Sequence, residues 1–476
     1  MQAFETVIGL EVHLQLNTKT KIFCGCENKF GELPNTLTCP VCLGLPGTLP
    51  VLNKKALDHA IRVALALNCR VNPYIKFDRK NYYYPDLPKG YQISQYDLPI
   101  AEHGSIEILT SEQKKKIGIK RAHLEEDAGK LVHEGNCSLV DYNRTGTPLI
   151  EIVTDPDLRS SQEAYDYLTT LKLLLQYLDV SDCDMEKGSL RCDANISIRA
   201  KDETKLGTKA ELKNMNSFRA VKIALEYEED RQRKMLLAGE KIVQETRLWN
   251  DEKQMSFPMR SKEEAHDYRY FPEPDLVPFI VSETIINKIK EALPELPEEK
   301  LERFLKEYKI SQYDAQILIQ DRSLASFFEK CTDLSPDTKK ICNWLIGPVM
   351  SELNTRKANI AEISLLPEEL VNLITKVETG IISNLVAKDV LKWSLDSKKK
   401  IDVIIEERGL TQVSDDSTLE KVIEEILNEN EKVVDQIKQG KESAMGFLVG
   451  QAMKKTQGKA NPKKIGELIK RRFDNG

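Results

Sequence analysis

The stretch Thr6–Leu16, T-V-I-G-L-E-V-H-L-Q-L, limits what this chain can fold into more than any other. Leu10, Val12, Leu14 and Leu16 alternate with Glu11, His13 and Gln15, and a period of two puts successive side chains on opposite faces of a strand. One face therefore belongs to a core, and the other carries Glu11 and His13 side by side. On a solvated sheet such a pair means nothing, because charged residues are common there. In a cleft, a carboxylate and an imidazole fixed on a strand hold a cation, provided other segments bring more oxygen.

Later segments offer that oxygen. H-L-E-E-D-A-G-K at 123–130 crowds Glu125, Glu126 and Asp127; it is either a solvated turn or a cleft wall that needs a compensating cation. L-I-E-I-V at 149–153 sets one acid, Glu151, in a run that reads as buried, where a carboxylate requires a partner. In L-R-C-D-A-N-I-S-I-R (190–199), Leu190, Cys192, Ala194, Ile196 and Ile198 form one face and Arg191, Asp193, Asn195, Ser197 and Arg199 the other. T-K-A-E-L-K-N (208–214) repeats the scheme with Lys209, Glu211 and Lys213. Adjacent strands of this kind make a floor for phosphate and metal, with Arg191, Lys209 and Lys213 on the phosphate. The Tyr- and Pro-rich segment 77–96 either lines a substrate mouth, with Arg79 and Lys80 toward phosphate and Tyr82–Tyr84 as stacking surfaces, or is a packed irregular loop.

Cys24, Cys26, Cys39 and Cys42 read C-x-C-x12-C-x2-C within a Gly- and Pro-rich loop. Two thiolate pairs separated by turns suit tetrahedral zinc with no open position, hence a structural site. Cys69, Cys137, Cys183, Cys192, Cys331 and Cys342 show no pairing and read as small core residues. No apolar run approaches membrane-spanning length, and residues 1–5 carry no signal-peptide pattern, so a cytoplasmic location without membrane contact is expected. Ten cysteines there argue against a disulfide framework.

A chain of 476 residues exceeds one hydrophobic core. Helices are expected over 53–67, capped by Asn53 and with a structural His59, over about 161–178, and from Asn216 or Ser217 to about 237. From Leu293 the pattern is helical, over 301–308, 323–330, 338–353 and 367–377 among others, and after Gly409 a third unit starts. Asn461 and Pro462 read as a cap and first-turn pair, and Gly446 and Gly450 as sites of close backbone approach. The expected class is α+β and multidomain: an N-terminal cradle built on a mixed or antiparallel sheet, then two all-α domains. Residues 440–476 hold nine Lys or Arg against three Asp or Glu, a net of +6, while 1–439 carry -12. A basic end on an acidic body fits a bound polyanion, or a solubilised terminal helix. No G-x-x-x-x-G-K-[ST], G-x-G-x-x-G, H-E-x-x-H or G-x-S-x-G is present, so any nucleotide must lie on the sheet floor.

E-T-V-I-G-L-E-V-H, F-D-R-K-N-Y, H-L-E-E-D-A-G-K, R-T-G-T-P-L-I-E-I-V, G-S-L-R-C-D-A-N-I-S, K-A-E-L-K-N-M-N-S, D-Y-R-Y-F-P-E-P-D and K-E-S-A-M-G-F-L-V-G-Q together resemble the GatB subunits of the bacterial aspartyl/glutamyl-tRNA(Asn/Gln) amidotransferases, the GatB/GatE family, over essentially the whole length. The resemblance implies a cradle domain over 1–292 with its zinc loop at 24–42, a helical domain over 293–408, and a YqeY-like tRNA-binding tail over 409–476. It implies ATP-dependent transamidation of Glu-tRNA(Gln) or Asp-tRNA(Asn), with Mg2+ as well as the zinc. The ammonia would come from an amidase (glutaminase) partner, with a further small protein making up the heterotrimer GatCAB, and a non-discriminating aminoacyl-tRNA synthetase is another conceivable partner. Glu11, His13, Glu126 and Glu151 become the catalytic metal shell, with Asp193 a further ligand and Glu211 beside the nucleotide. The competing expectation is a non-catalytic tRNA-binding scaffold.

Overall fold

The computed structural model describes residues 4–110, 113–259, 268–410, 416–438, 445–456 and 462–474. Its strands are β1 (Phe4–Gln15), β2 (Arg70–Val71), β3 (Tyr74–Ile75), β4 (Asp78–Asn81), β5 (Tyr91–Ser94), β6 (Ala101–Leu109), β7 (Lys114–Glu126) and β8 (Lys130–Glu134). They continue with β9 (Cys137–Asp141), β10 (Pro148–Thr154), β11 (Leu190–Ala200), β12 (Ala210–Lys213), β13 (Glu245–Asn250), β14 (Met255–Pro258), β15 (Phe271–Pro272) and β16 (Phe279–Ile280). Nine of them form one sheet in the order β14-β13-β12-β11-β1-β10-β7-β6-β2. All neighbours are antiparallel except the parallel pair β12–β13, so the sheet is mixed.

β1 lies at the middle of this sheet, paired along nearly its whole length with β11 and over Glu11–Gln15 with β10. Its apolar side, Leu10, Val12 and Leu14, is buried with Ile150 and Ile152 of β10, Ala122 and Leu124 of β7, and Cys192, Ala194 and Ile196 of β11. Four helices contribute to the same core: α1 (Lys54–Ala66), α2 (Ser161–Tyr177), α3 (Phe218–Leu237) and α4 (Glu283–Glu291). Their starts follow side-chain capping of the free first-turn N–H groups. Asn53 accepts from Lys55 and Ala56, Ser160 from Glu163, and Ser217 from Ala220. His59 of α1 is buried against the Asn17 carbonyl, 3.0 Å away, and plays the structural part expected of it.

The chain divides into two compact units, Met1–Pro297 and Glu298–Gly476. Leu293 and Leu296 pack on the core of the first unit, which carries the division a few residues past 292. The second unit is helical in every described element and holds two separate apolar clusters, one from Phe304 to Ile405 and one from Leu419 to Ile469. The helix expected over 338–353 is broken into Thr338–Trp344, a π-turn at Leu345–Val349 and Met350–Arg356. Pro348 lies in that turn, and a proline lacks the N–H that a continuous α-helix needs. A helix starts at Pro462, while Asn461 lies outside the described residues. Gly446 and Gly450 are exposed, and a Cβ at either would meet nothing within 4 Å.

Candidate functional site

The sheet face opposite the helices is polar. Residues directly opposite in antiparallel strands share a face, so register decides which side chains meet. His13 lies opposite Glu151 on one side and Arg191 on the other, and Glu151 lies opposite His123. His13 Nε2 stands 3.7 Å from Glu151 Oε2 and 3.9 Å from Glu125 Oε1. Nε2 of His123 is 3.1 Å from Glu151 Oε2 and 3.6 Å from Glu125 Oε2. The Ser94 hydroxyl donates to Glu125 at 3.2 Å. One ligand atom each from His13, Glu125 and Glu151 lies within 4.8 Å of the others, and one nitrogen with carboxylate oxygens suits Mg2+ or Mn2+ better than zinc.

Electrostatics keep this cluster ionised. Burial pushes the Glu151 carboxyl up, but His123, His13 and Arg121 prevail and hold it well below the usual range. Glu125 is likewise lowered against its burial, by His123 first and then His13. Burial disfavours the charged form of His123, yet the two carboxylates raise its pKa to about 9, so it stands as a cation between them. Glu11 shares the face, opposite Asp193, and accepts from the Asn195 amide at 2.9 Å. Burial and the nearby Glu151 raise its pKa.

Other nominated residues are engaged elsewhere than in this cluster, some beside it on the same face. Glu126 points the other way, because neighbours on a strand face opposite sides. It is buried, ion-paired to Lys89, and accepts from the Ile93 N–H at 2.9 Å. Glu125 therefore stands where the sequence nominates Glu126. Asp193 is 2.5 Å from Lys213 Nζ, and Glu211 is 3.0 Å from the same ammonium and accepts from Thr246 at 2.7 Å. Arg191 donates to Asp127 at 3.1 Å. Asp127 also accepts from Gln15, and Arg191 and Arg144 lower its pKa against burial. Lys209 precedes β12 and is exposed. Arg79 makes a bidentate pair with Glu273, at 2.7 and 2.8 Å, so it ties the 271–275 segment to β4. Sequence reasoning misses Glu125 and His123, and the parity of the 122–126 strand, with Ala122 and Leu124 in the core, is the signal that would find them.

Cys24, Cys26, Cys39 and Cys42 converge, their sulfur atoms within 4.8 Å of one another. The Cys39 N–H points at Cys42 Sγ, 3.2 Å away, and the Lys21 ammonium lies 3.7 Å from the same sulfur. Lys21 is fully buried and is satisfied by the Leu37 and Tyr142 carbonyls at 2.7 and 3.3 Å. A bond from Cys24, then the Cys39 N–H and Lys21, holds the Cys42 pKa at about 4. Four thiols, an N–H and a buried cation form an environment made for thiolates on a metal. A cavity of about 190 Å³ separates this loop from β5 and β7 and is lined by Cys24, Cys42, Lys89, Tyr91 and Glu126. Gly44 keeps its φ of +67° beside it, and a Cβ there would fall 2.2 Å from Lys89 Cγ. Five of the remaining cysteines are buried as expected, but Cys137 is exposed, because the β8–β9 hairpin pairs only with itself.

No helix among the described residues is long and apolar enough to cross a membrane. Residues 6–287 match the family described as GatB/GatE catalytic domain, and residues 326–473 match a second described as GatB domain. The chain is 55% identical over 468 residues, 98% of both chains, to the B subunit of the aspartyl/glutamyl-tRNA(Asn/Gln) amidotransferase of Thermoanaerobacter sp. (strain X514). It is 54% identical to the same protein of Thermodesulfovibrio yellowstonii, over 98% of both chains, and 52% identical to that of Carboxydothermus hydrogenoformans, over 99% of both. With its polar sheet face, its cysteine loop and these matches over nearly its whole length, the chain belongs to the GatB/GatE family.

Proposed function

We propose that this chain is the subunit that activates and amidates the side chain of Glu or Asp misacylated on tRNA(Gln) or tRNA(Asn). The cluster of His13, Glu125 and Glu151 on the polar face of a matched catalytic domain carries this reading. A side-chain carboxylate is a poor acyl donor until one of its oxygens becomes a phosphate. In the activating step that oxygen forms a bond to the terminal phosphorus of ATP while the bond to ADP breaks and ADP leaves with the electron pair. Ammonia then forms the C–N bond, loses a proton, and phosphate departs with the bonding electrons.

His13, Glu125 and Glu151 would hold a divalent cation, which would supply charge neutralisation on the phosphate oxygens when bound. His123 fixes both carboxylates, and Glu11 and Asp193 stand beside the cluster to orient the ion's remaining partners. Arg191, Lys209, Glu211 and Lys213 would border the nucleotide, while Glu126 and Lys89 shape the cavity under the cysteine loop, which would hold structural Zn2+. The Ser-Ser-Lys motif of amidases is absent, so ammonia would come from a separate amidase (glutaminase) chain, with a third, small protein completing a cytoplasmic heterotrimer. We further propose a cradle over 1–292, a helical domain over 293–408 and a tRNA-binding tail over 409–476, supported by the separate apolar clusters.

The test is reconstitution with the partner subunits, assaying Glu-tRNA(Gln) and Asp-tRNA(Asn) separately. Glu125→Gln should abolish tRNA-dependent ATP hydrolysis and leave tRNA binding intact. Unchanged turnover in that variant, or none in the unaltered complex, would overturn the reading and favour a scaffold.

A further inference from the structure

Arg121 reaches the polar face through an irregularity. Upstream on β7, Ile117 and Ile119 are buried, and continuing their alternation would turn residue 121 into the core. Thr154 pairs with Ile119 but Val153 pairs with Arg121, so Lys120 is an extra residue in the ladder. A bulge of this kind re-aims the side chains that follow it. It sets Arg121 on the face of His123 and Glu125, diagonally across from Glu151.

Among the described residues, the guanidinium it delivers meets no carboxylate. Its Nη1 donates to the Tyr96 carbonyl at 3.3 Å, and among the described residues no carboxylate lies within 4.0 Å of it. Glu102, opposite on β6, is engaged by Asn72 and Arg70 instead. Of the cations nominated from sequence, Arg191 is paired to Asp127 and Lys213 to Asp193 and Glu211, while Lys209 is exposed ahead of β12. The half-exposed Tyr96 whose carbonyl it holds is stacked on Tyr270, ring centroids 4.3 Å apart, which stiffens that flank. A guanidinium with open donors beside a metal-binding acid cluster is matched to an oxyanion that arrives with the substrate.

Building on the proposed function, we infer that Arg121 is the cation that contacts the oxygens of the phosphoryl group donated by ATP, a role the sequence assigned to Arg191, Lys209 and Lys213. The proposal is tested in the reconstituted heterotrimer by steady-state kinetics with ATP varied and Glu-tRNA(Gln) saturating. Arg121→Met should raise KM for ATP and lower kcat, reducing kcat/KM for ATP roughly ten- to a hundredfold. Arg121→Lys should recover part of the loss, and free guanidinium should partly rescue Arg121→Met. The KM for Glu-tRNA(Gln) and the melting midpoint should stay at the unaltered values. Unaltered ATP kinetics in Arg121→Met would overturn the assignment, as would a change confined to the aminoacyl-tRNA KM. So would equal losses in the Met and Lys variants with no guanidinium rescue, which mark a structural role. An unaltered complex that turns over with ATP kinetics that Arg121→Met matches refutes Arg121 alone; an inactive unaltered complex removes the proposed function and this assignment together.

Discussion

The two metal-competent groups among the described residues are built in opposite ways. The four cysteines lie within one short loop, and their sulfurs converge because local turns bring them together: the Thr20–Glu27 bridge folds the first pair back, and the Leu43 N–H bonded to the Cys39 carbonyl closes the second. His13, Glu125 and Glu151 come from three strands far apart in sequence, and only the β1–β10–β7 register brings them together. A local site announces itself by spacing. A site assembled by sheet pairing is visible one strand at a time, and a single residue of parity decides its membership.

That contrast predicts separable losses. The largest expected effect is His13→Ala, which should cut tRNA-dependent ATP hydrolysis by about a thousandfold or more, the order seen when a main electrostatic stabiliser is removed. Mn2+ binding followed by electron paramagnetic resonance should weaken in parallel, while zinc content stays the same. The converse variant, Cys24→Ser with Cys26→Ser, should lose bound zinc by elemental analysis and lower the melting midpoint by several degrees, with Mn2+ affinity kept close to normal. Loss of both metals in either variant would show that the two groups are one coupled site.

A third prediction sets the structural imidazole against the functional one. Burial, then the charge of Lys55, depresses the pKa of His59 from 6.5 to about 4, so the fold keeps it neutral. Between those values the unfolded chain takes up a proton that the folded chain does not. Stability should therefore fall as pH drops from about 6.5 to about 4, with a contribution approaching 3 kcal/mol. Chemical unfolding of His59→Gln across that window should show a flatter pH dependence than the unaltered chain; an equal slope would remove His59 as the source.

Much of the scaffold could be read directly. The caps at Asn53 and Ser217, the strand at 190–199 and the helix over 161–177 all follow from local rules, hydroxyl or amide side chains before apolar periodicity and strict alternation. What escaped was long-range. Glu125 rather than Glu126 joins the cluster: alternation with Ala122 and Leu124 shows this only downstream of the bulge at Lys120, and upstream of it the parity is opposite, which depends on the partner strand. Arg79 reads from sequence as a phosphate contact or as part of a packed loop, and Glu273, distant in sequence, is what engages it. Cys137 looked apolar, yet its hairpin has no sheet to cover it.

By itself, the sequence determined the ingredients: an amphipathic central strand, four thiols spaced for one metal, helical starts, and motifs long enough to imply the family. Tertiary structure alone decided which acids share a face, which nominated cations are already paired and, among the described residues, that Arg121 faces the cluster with no carboxylate against it. The physical reason is that alternation fixes a side chain only relative to its own strand. Charge pairing and metal geometry depend on neighbours that arrive from elsewhere in the chain.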